Sequence, residues 1–175
     1  MPDKITVKVK LNEKTFKRFT RFDTLRLRKR WVRPLVFALI MIAFGLVALL
    51  SKKEQSGLIA AVLFAVGLGL PIVYFGFFFS QINLQALNLK LGKGRRVYTI
   101  YLTKQNLEVH NDIKKEETLM LPWKKVLKAF RVKGCIYVYV SPVKAFLLPD
   151  GQADATDDEV WEYLIARMGR KRCKG

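Results

Sequence analysis

Two uninterrupted apolar runs constrain this chain more than any other feature. Pro34 to Leu50 (PLVFALIMIAFGLVALL) holds seventeen residues without a charge, and Gly57 to Phe79 (GLIAAVLFAVGLGLPIVYFGFFF) holds twenty-three. As helices rising about 1.5 Å per residue they reach about 25 and 34 Å, against a hydrocarbon core of about 30 Å. The first run gains length from Trp31 and Val32 if Arg33 extends its head towards the headgroups. Soluble buried helices rarely run so far without a charge, so we expect transmembrane helices over 34–50 and 57–79. The polar residues 51–56 are then a tight external connector. A cleaved leader is not expected, because thirty-three residues precede Pro34 and no small-x-small site follows Leu50.

The chain is also strongly basic, with a net charge of +18. Such a charge first suggests nucleic acid, but its distribution points to a membrane face. Residues 1–33 hold twelve Lys and Arg against three acids, the connector two against one, and residues 80–175 eighteen against ten. Arg26, Arg28, Lys29, Arg30 and Arg33 flank the first run; Lys90, Lys93, Arg95 and Arg96 follow the second. The positive-inside rule then puts both termini in the cytoplasm of a multi-pass plasma-membrane protein, with Lys52 and Lys53 as a weak counter-signal. These nine flanking cations are also the candidates for contact with an anionic leaflet. Cys135 and Cys173 are expected as free thiols in that reducing compartment.

Gly57, Ala61, Ala65 and Gly69 recur every four residues along the second run. Small residues let helix backbones approach, so this stripe is expected to pack against the first helix, with its Ala38, Gly45 and Ala48, or against another copy. Pro71 is expected to kink the helix. No ionisable residue lies inside either run, which argues against an autonomous ion or proton transporter.

The remaining segments read as a small α+β domain. Ile5, Val7, Val9 and Leu11 alternate with Thr6, Lys8 and Lys10, the period of a half-buried strand that needs partners from beyond the hairpin. Asn12 can cap a basic helix running from about Glu13 towards Arg30, with Phe16, Phe19 and Phe22 three apart. Residues 80–95 form a connector, with a helical continuation placing Leu84, Leu87 and Leu91 on one side. Six strands follow, over 96–102, 107–110, 118–121, 126–132, 136–140 and 145–148, divided by turn-forming residues. Asp157-Asp158-Glu159 opens a C-terminal helix that Arg167, Arg170, Lys171 and Arg172 close. The expected fold is an α+β membrane protein: a transmembrane α-hairpin with an antiparallel β-roll of about seven strands plus a helix. The expected segments are 1–33, 34–79, 80–95 and a β domain over 96–175.

The order of basic strand-helix segment, two-span hairpin and β domain resembles the bacterial YcxB-like membrane-protein family. The resemblance includes Leu121-Pro-Trp-Lys-Lys-Val126, Ile136-Tyr-Val-Tyr-Val140 and Ala145-Phe-Leu-Leu-Pro149. It implies a cytoplasmic domain similar to pleckstrin-homology folds and brings no catalytic residues. Trp123 is read as a core anchor.

No catalytic signature emerges. His110 is the single histidine, and one His with two distant Cys does not make a zinc site. Gly92-Lys-Gly-Arg-Arg96 lacks phosphate-loop spacing. The acids from Asp154 to Glu162 suit the positive end of a helix. The expectation is therefore a non-enzymatic protein without cofactor or metal. Its partners would be anionic lipid, a membrane protein or a second copy, and not nucleic acid. The alternative is an accessory or regulatory subunit of a membrane transporter or peptide export system.

Overall fold

A computed structural model describes residues 3–51, 53–88, 90–92, 94–112 and 118–175. Lys52 and Lys93 lie outside the described residues. The chain is α+β and divides into two units, one made of residues 1–16 with 90–175, the other of 17–89.

The first unit is built on two four-stranded sheets. Strand β1 (Lys4–Leu11) buries Ile5, Val7, Val9 and Leu11 and exposes Lys8 and Lys10, as its period-two pattern requires. It pairs antiparallel with β2 (Arg95–Thr103), Ile5 opposite Leu102 and Val7 opposite Ile100. β3 (Asn106–Asn111) and β4 (Thr118–Pro122) complete the order β1-β2-β3-β4. The second sheet runs β7-β6-β5-β8, from β5 (Lys128–Val132), β6 (Cys135–Tyr139), β7 (Ala145–Pro149) and β8 (Cys173–Lys174). The described residues thus hold eight strands rather than seven, in two sheets. The added strand, β8, is parallel to β5. Arg170 to Arg172, expected to close the last helix, form a separate 3-10 turn that delivers the chain into β8.

The outer edge of β1 is closed by residues 152–154. Lys8 N donates to the Gln152 carbonyl (3.1 Å), Thr6 N to Asp154 Oδ1 (2.8 Å), and Lys10 N to Gln152 Oε1 (2.7 Å). Asp154, expected to serve the helix start, therefore satisfies a strand edge instead.

Helix α4 (Asp157–Met168) lays Val160, Trp161, Tyr163, Leu164 and Met168 into the core. It starts with a reciprocal capping box. Glu159 N donates to Thr156 Oγ1 (3.3 Å), while Thr156 N and Oγ1 donate to Glu159 Oε2 (both 2.8 Å). The Thr156 backbone and hydroxyl hydrogen bonds hold the Glu159 carboxyl below its ordinary value. A depressed acid stabilises the fold above its unfolded pKa, and that contribution is lost as pH falls through the lower folded value. Thr156→Ala should lower the melting temperature by about 2–4 °C at neutral pH, and the gap should shrink on acidification. Circular dichroism melts of the chain in micelles across a pH series check both.

The second unit is an α-helical hairpin. α2 (Val32–Leu50) and α3 (Ser56–Asn88) contain 19 and 33 residues, and in each only 11% of the most apolar window is buried. That low burial separates them from the core helices of soluble proteins. α2 includes Arg33 in its first turn, and α3 continues nine residues past Phe79, so most of the expected 80–95 connector is helix. Ile82 and Ala86 are buried there, whereas Leu84 and Leu87 are exposed. Pro71 sits inside α3, which is continuous through it.

The hairpin contact corrects the expected stripe. Within the two apolar runs, Ala38 and Gly45 of α2 and Ala60 and Gly67 of α3 are the buried small residues. A Cβ on Gly67 would lie 2.7 Å from Met41 Cβ, and one on Gly45 2.6 Å from the Phe64 ring. Gly57, Ala61 and Ala65 are exposed, and a Cβ on Gly57 or Gly69 would meet nothing within 4 Å. The stripe faces out because the contact recurs at seven residues (38 and 45, 60 and 67), a heptad seam rather than a four-residue one.

Candidate functional site

The described flanking cations do not act as one group. Arg28, Lys29, Arg30 and Arg33 line a single cleft of about 460 Å³ together with Pro34 and Tyr74. Arg26 is exposed but does not line it. Lys90 and Arg95 belong to the other unit and are exposed. Arg96 there donates to Asp112 Oδ2 (2.9 Å) and to Thr99 Oγ1 (2.9 Å), so its head is engaged within the β2–β3 hairpin.

The local fold explains how the cleft forms. α1 (Glu13–Arg21) is capped as expected, Thr15 N donating to Asn12 Oδ1 (2.8 Å). It ends sooner than expected, opening into a π-helical turn over Phe22–Leu27. There Arg28 N donates to the Asp23 carbonyl (2.9 Å) and Arg30 N to that of Thr24 (3.0 Å). Lys29 takes a left-handed conformation (φ 48°), which a continuous helix excludes and which breaks the chain away before α2. The Trp31 indole donates to the Leu25 carbonyl (3.0 Å), tying the break to the turn. Pro34 is tolerated in the first turn of α2, where its missing N–H is needed least.

Charge in the cleft is one-sided. Asp23 pairs with Arg28 at 2.8 Å, and the lining itself contains no carboxylate. The first turn of α2 has no acid and no side-chain cap, so its positive dipole end adds to the field of the cations. The arrangement can hold an anion; it brings no nucleophile beside a base. Tyr74 is the member that charge counting missed. Its signal was in the chain all the same, since Pro34 and Tyr74 lie at similar distances from the connector and an antiparallel hairpin brings them level.

The other candidates carry structural tasks. His110 Nδ1 lies 3.2 Å from Thr118 Oγ1, and its ring meets Tyr101 edge-on. Asp157 accepts from Gly151 N (2.8 Å), and Asp158 pairs with Arg131 (2.7 Å). Burial, and then the charge of Asp157, push the Asp150 carboxyl up; burial does the same to the Cys173 thiol. Among the described residues, no three His, Cys, Asp or Glu side chains cluster as metal ligands would. No family model, curated protein or solved structure matches the chain.

Proposed function

We propose that this chain is a non-enzymatic membrane protein whose two long helices span the bilayer and anchor a cytoplasmic, pleckstrin-homology-like interaction domain. The carrying observation is the surface of the hairpin. Leu39, Phe44, Val47, Leu58, Ile72, Val73 and Phe77 are each more than half exposed, a surface stable in lipid and not in water. α3 is about 20 Å longer than a hydrocarbon core, so its last turns stand clear of the lipid. Trp31 and Tyr74, suited to an interface, fall at the cation-rich end.

The strand pairing supports one orientation for both termini. β1 precedes the hairpin and β2 follows it, and their pairing in one antiparallel ladder supports a reading in which both ends of the hairpin lie on one side. The positive-inside rule makes that side the cytoplasm. Membership in the YcxB-like family is part of this reading, supported by the order of strand, basic helix, hairpin and strand-rich domain. Partner recognition would be by protein or anionic lipid. A second reading, an accessory or regulatory subunit of a transporter or export system, is favoured by the outward face of Gly57, Ala61, Ala65 and Gly69.

The test is extraction and protection. The protein should stay in the pellet under alkaline carbonate, and tags at both termini should be cleaved only when the cytoplasmic face is open to protease. Release by carbonate, or protection of one terminus alone, would sink the proposal.

A further inference from the structure

The cleft lined by Arg28, Lys29, Arg30, Arg33, Pro34 and Tyr74 has a composition that suits a particular ligand. Four cations converge on it, and of these Arg28 is already paired with Asp23. Lys29, Arg30 and Arg33 remain for a ligand carrying more than one negative oxygen. A choline or ethanolamine headgroup would bring an ammonium into a lining that has no carboxylate to meet it.

The walls are not purely polar. Pro34 and the Tyr74 ring give an apolar side, and Trp31, Val32 and Leu35, from the same turn, are exposed apolar neighbours. A free phosphate has no use for such a wall, whereas a phosphate joined to hydrocarbon fits both parts. The volume lies within the range of small-ligand sites. The site is also held in shape before any ligand arrives, by the Trp31–Leu25, Arg30–Thr24 and Arg28–Asp23 contacts.

From this geometry we propose that the cleft binds the phosphate of an anionic phospholipid headgroup, phosphatidic acid being the simplest. Arg30 and Arg33 hold the phosphate oxygens, and Tyr74 packs on the glycerol. The proposal rests on the hairpin being in the bilayer. It goes beyond topology in assigning one lipid site to one turn.

The experiment uses the full chain in nanodiscs of phosphatidylcholine with a minor share of phosphatidic acid, and native mass spectrometry counts the retained lipids. Phosphatidic acid should be enriched roughly tenfold over phosphatidylcholine, in keeping with the per-cation attraction near a membrane. Arg30→Gln with Arg33→Gln should remove most of that enrichment, and Arg30→Lys with Arg33→Lys should keep much of it. Lys124→Gln with Lys125→Gln, the same charge change on the other unit, should leave it intact. An excess of glycerol 3-phosphate should not displace the lipid.

Enrichment that survives the double Gln variant, or that the Lys124 and Lys125 control also loses, would overturn the site in favour of diffuse attraction. Displacement by glycerol 3-phosphate would overturn a lipid as its occupant. Carbonate extraction of the membranes from which the nanodiscs are prepared separates the two proposals. Protein that stays in the membrane without enrichment refutes the cleft alone, and protein that washes out refutes both.

Discussion

Replacing Gly67 by leucine should open the hairpin. A Cβ at Gly67 would stand 2.7 Å from Met41 Cβ, an atom fixed to the α2 backbone that cannot swing aside. The α2 and α3 axes must therefore separate, and contacts elsewhere along the seam are lost, at a cost of about 3 kcal/mol or more. Gly45→Leu should cost less, because its obstacle is the far end of the Phe64 ring, which a rotamer change can move. Ala61→Leu with Ala65→Leu supplies the contrast, since both positions are exposed. That pair should leave the hairpin closed and dissociate any larger assembly formed through the outer stripe. Disulfide trapping between cysteines placed across the α2–α3 seam reads closure, and native gels in mild detergent read assembly. A Gly67→Leu chain that cross-links as efficiently as wild type would contradict the packing, and an unchanged assembly in the Ala61 and Ala65 variant would remove the accessory-subunit reading.

The contrast also shows which features were legible in the sequence. The four-residue recurrence of Gly57, Ala61, Ala65 and Gly69 is real, but a spacing states which residues share a face and not which face meets α2. The partner decides that, through the seven-residue recurrence of Ala38 with Gly45 and Ala60 with Gly67. Strand β1 was legible because one side of it is buried and every second residue must be apolar. β8 was not, since two residues carry no period, and Cys173 and Lys174 are a strand only because Ala129 and Phe130 of β5 lie opposite. The early end of α1 was hidden for a related reason. Phe16, Phe19 and Phe22 keep their spacing into the widened turn, and the reversal falls at Lys29, a residue type that seldom announces a left-handed conformation.

Of the candidate site, the cations were legible as a group and their division was not. Arg96 is drawn off by Asp112, sixteen residues further on, and Arg28 is paired with Asp23 one widened turn earlier. The closure of the β1 edge had no signature at all, because Gln152 and Asp154 act on backbone groups that every sequence possesses.

Trp123→Ala should cost the strand-rich unit about 4 kcal/mol, the usual range for deleting a buried Trp. Trp123 is 6% exposed and occupies the 3-10 turn between β4 of the first sheet and β5 of the second. Its indole N–H donates to the Thr103 carbonyl at the end of β2 (2.9 Å), and its ring meets Tyr163 of α4 at 6.4 Å. Its own carbonyl accepts from Arg172 Nη1 (3.2 Å), which also donates to the Val126 carbonyl (3.0 Å). One residue thus ties both sheets, α4 and the segment leading into β8. Trp123→Phe should cost about 1–2 kcal/mol, since most of the ring volume stays and the loss is the hydrogen bond to Thr103. Native domains hold only about 5–15 kcal/mol, so the alanine variant should leave this unit marginal while the hairpin stays folded. Urea titration of the full chain in nanodiscs, followed by proteolysis at the exposed β strands, measures the two variants on one scale. An alanine variant within about 1 kcal/mol of wild type would mean that the sheets hold together without this joint.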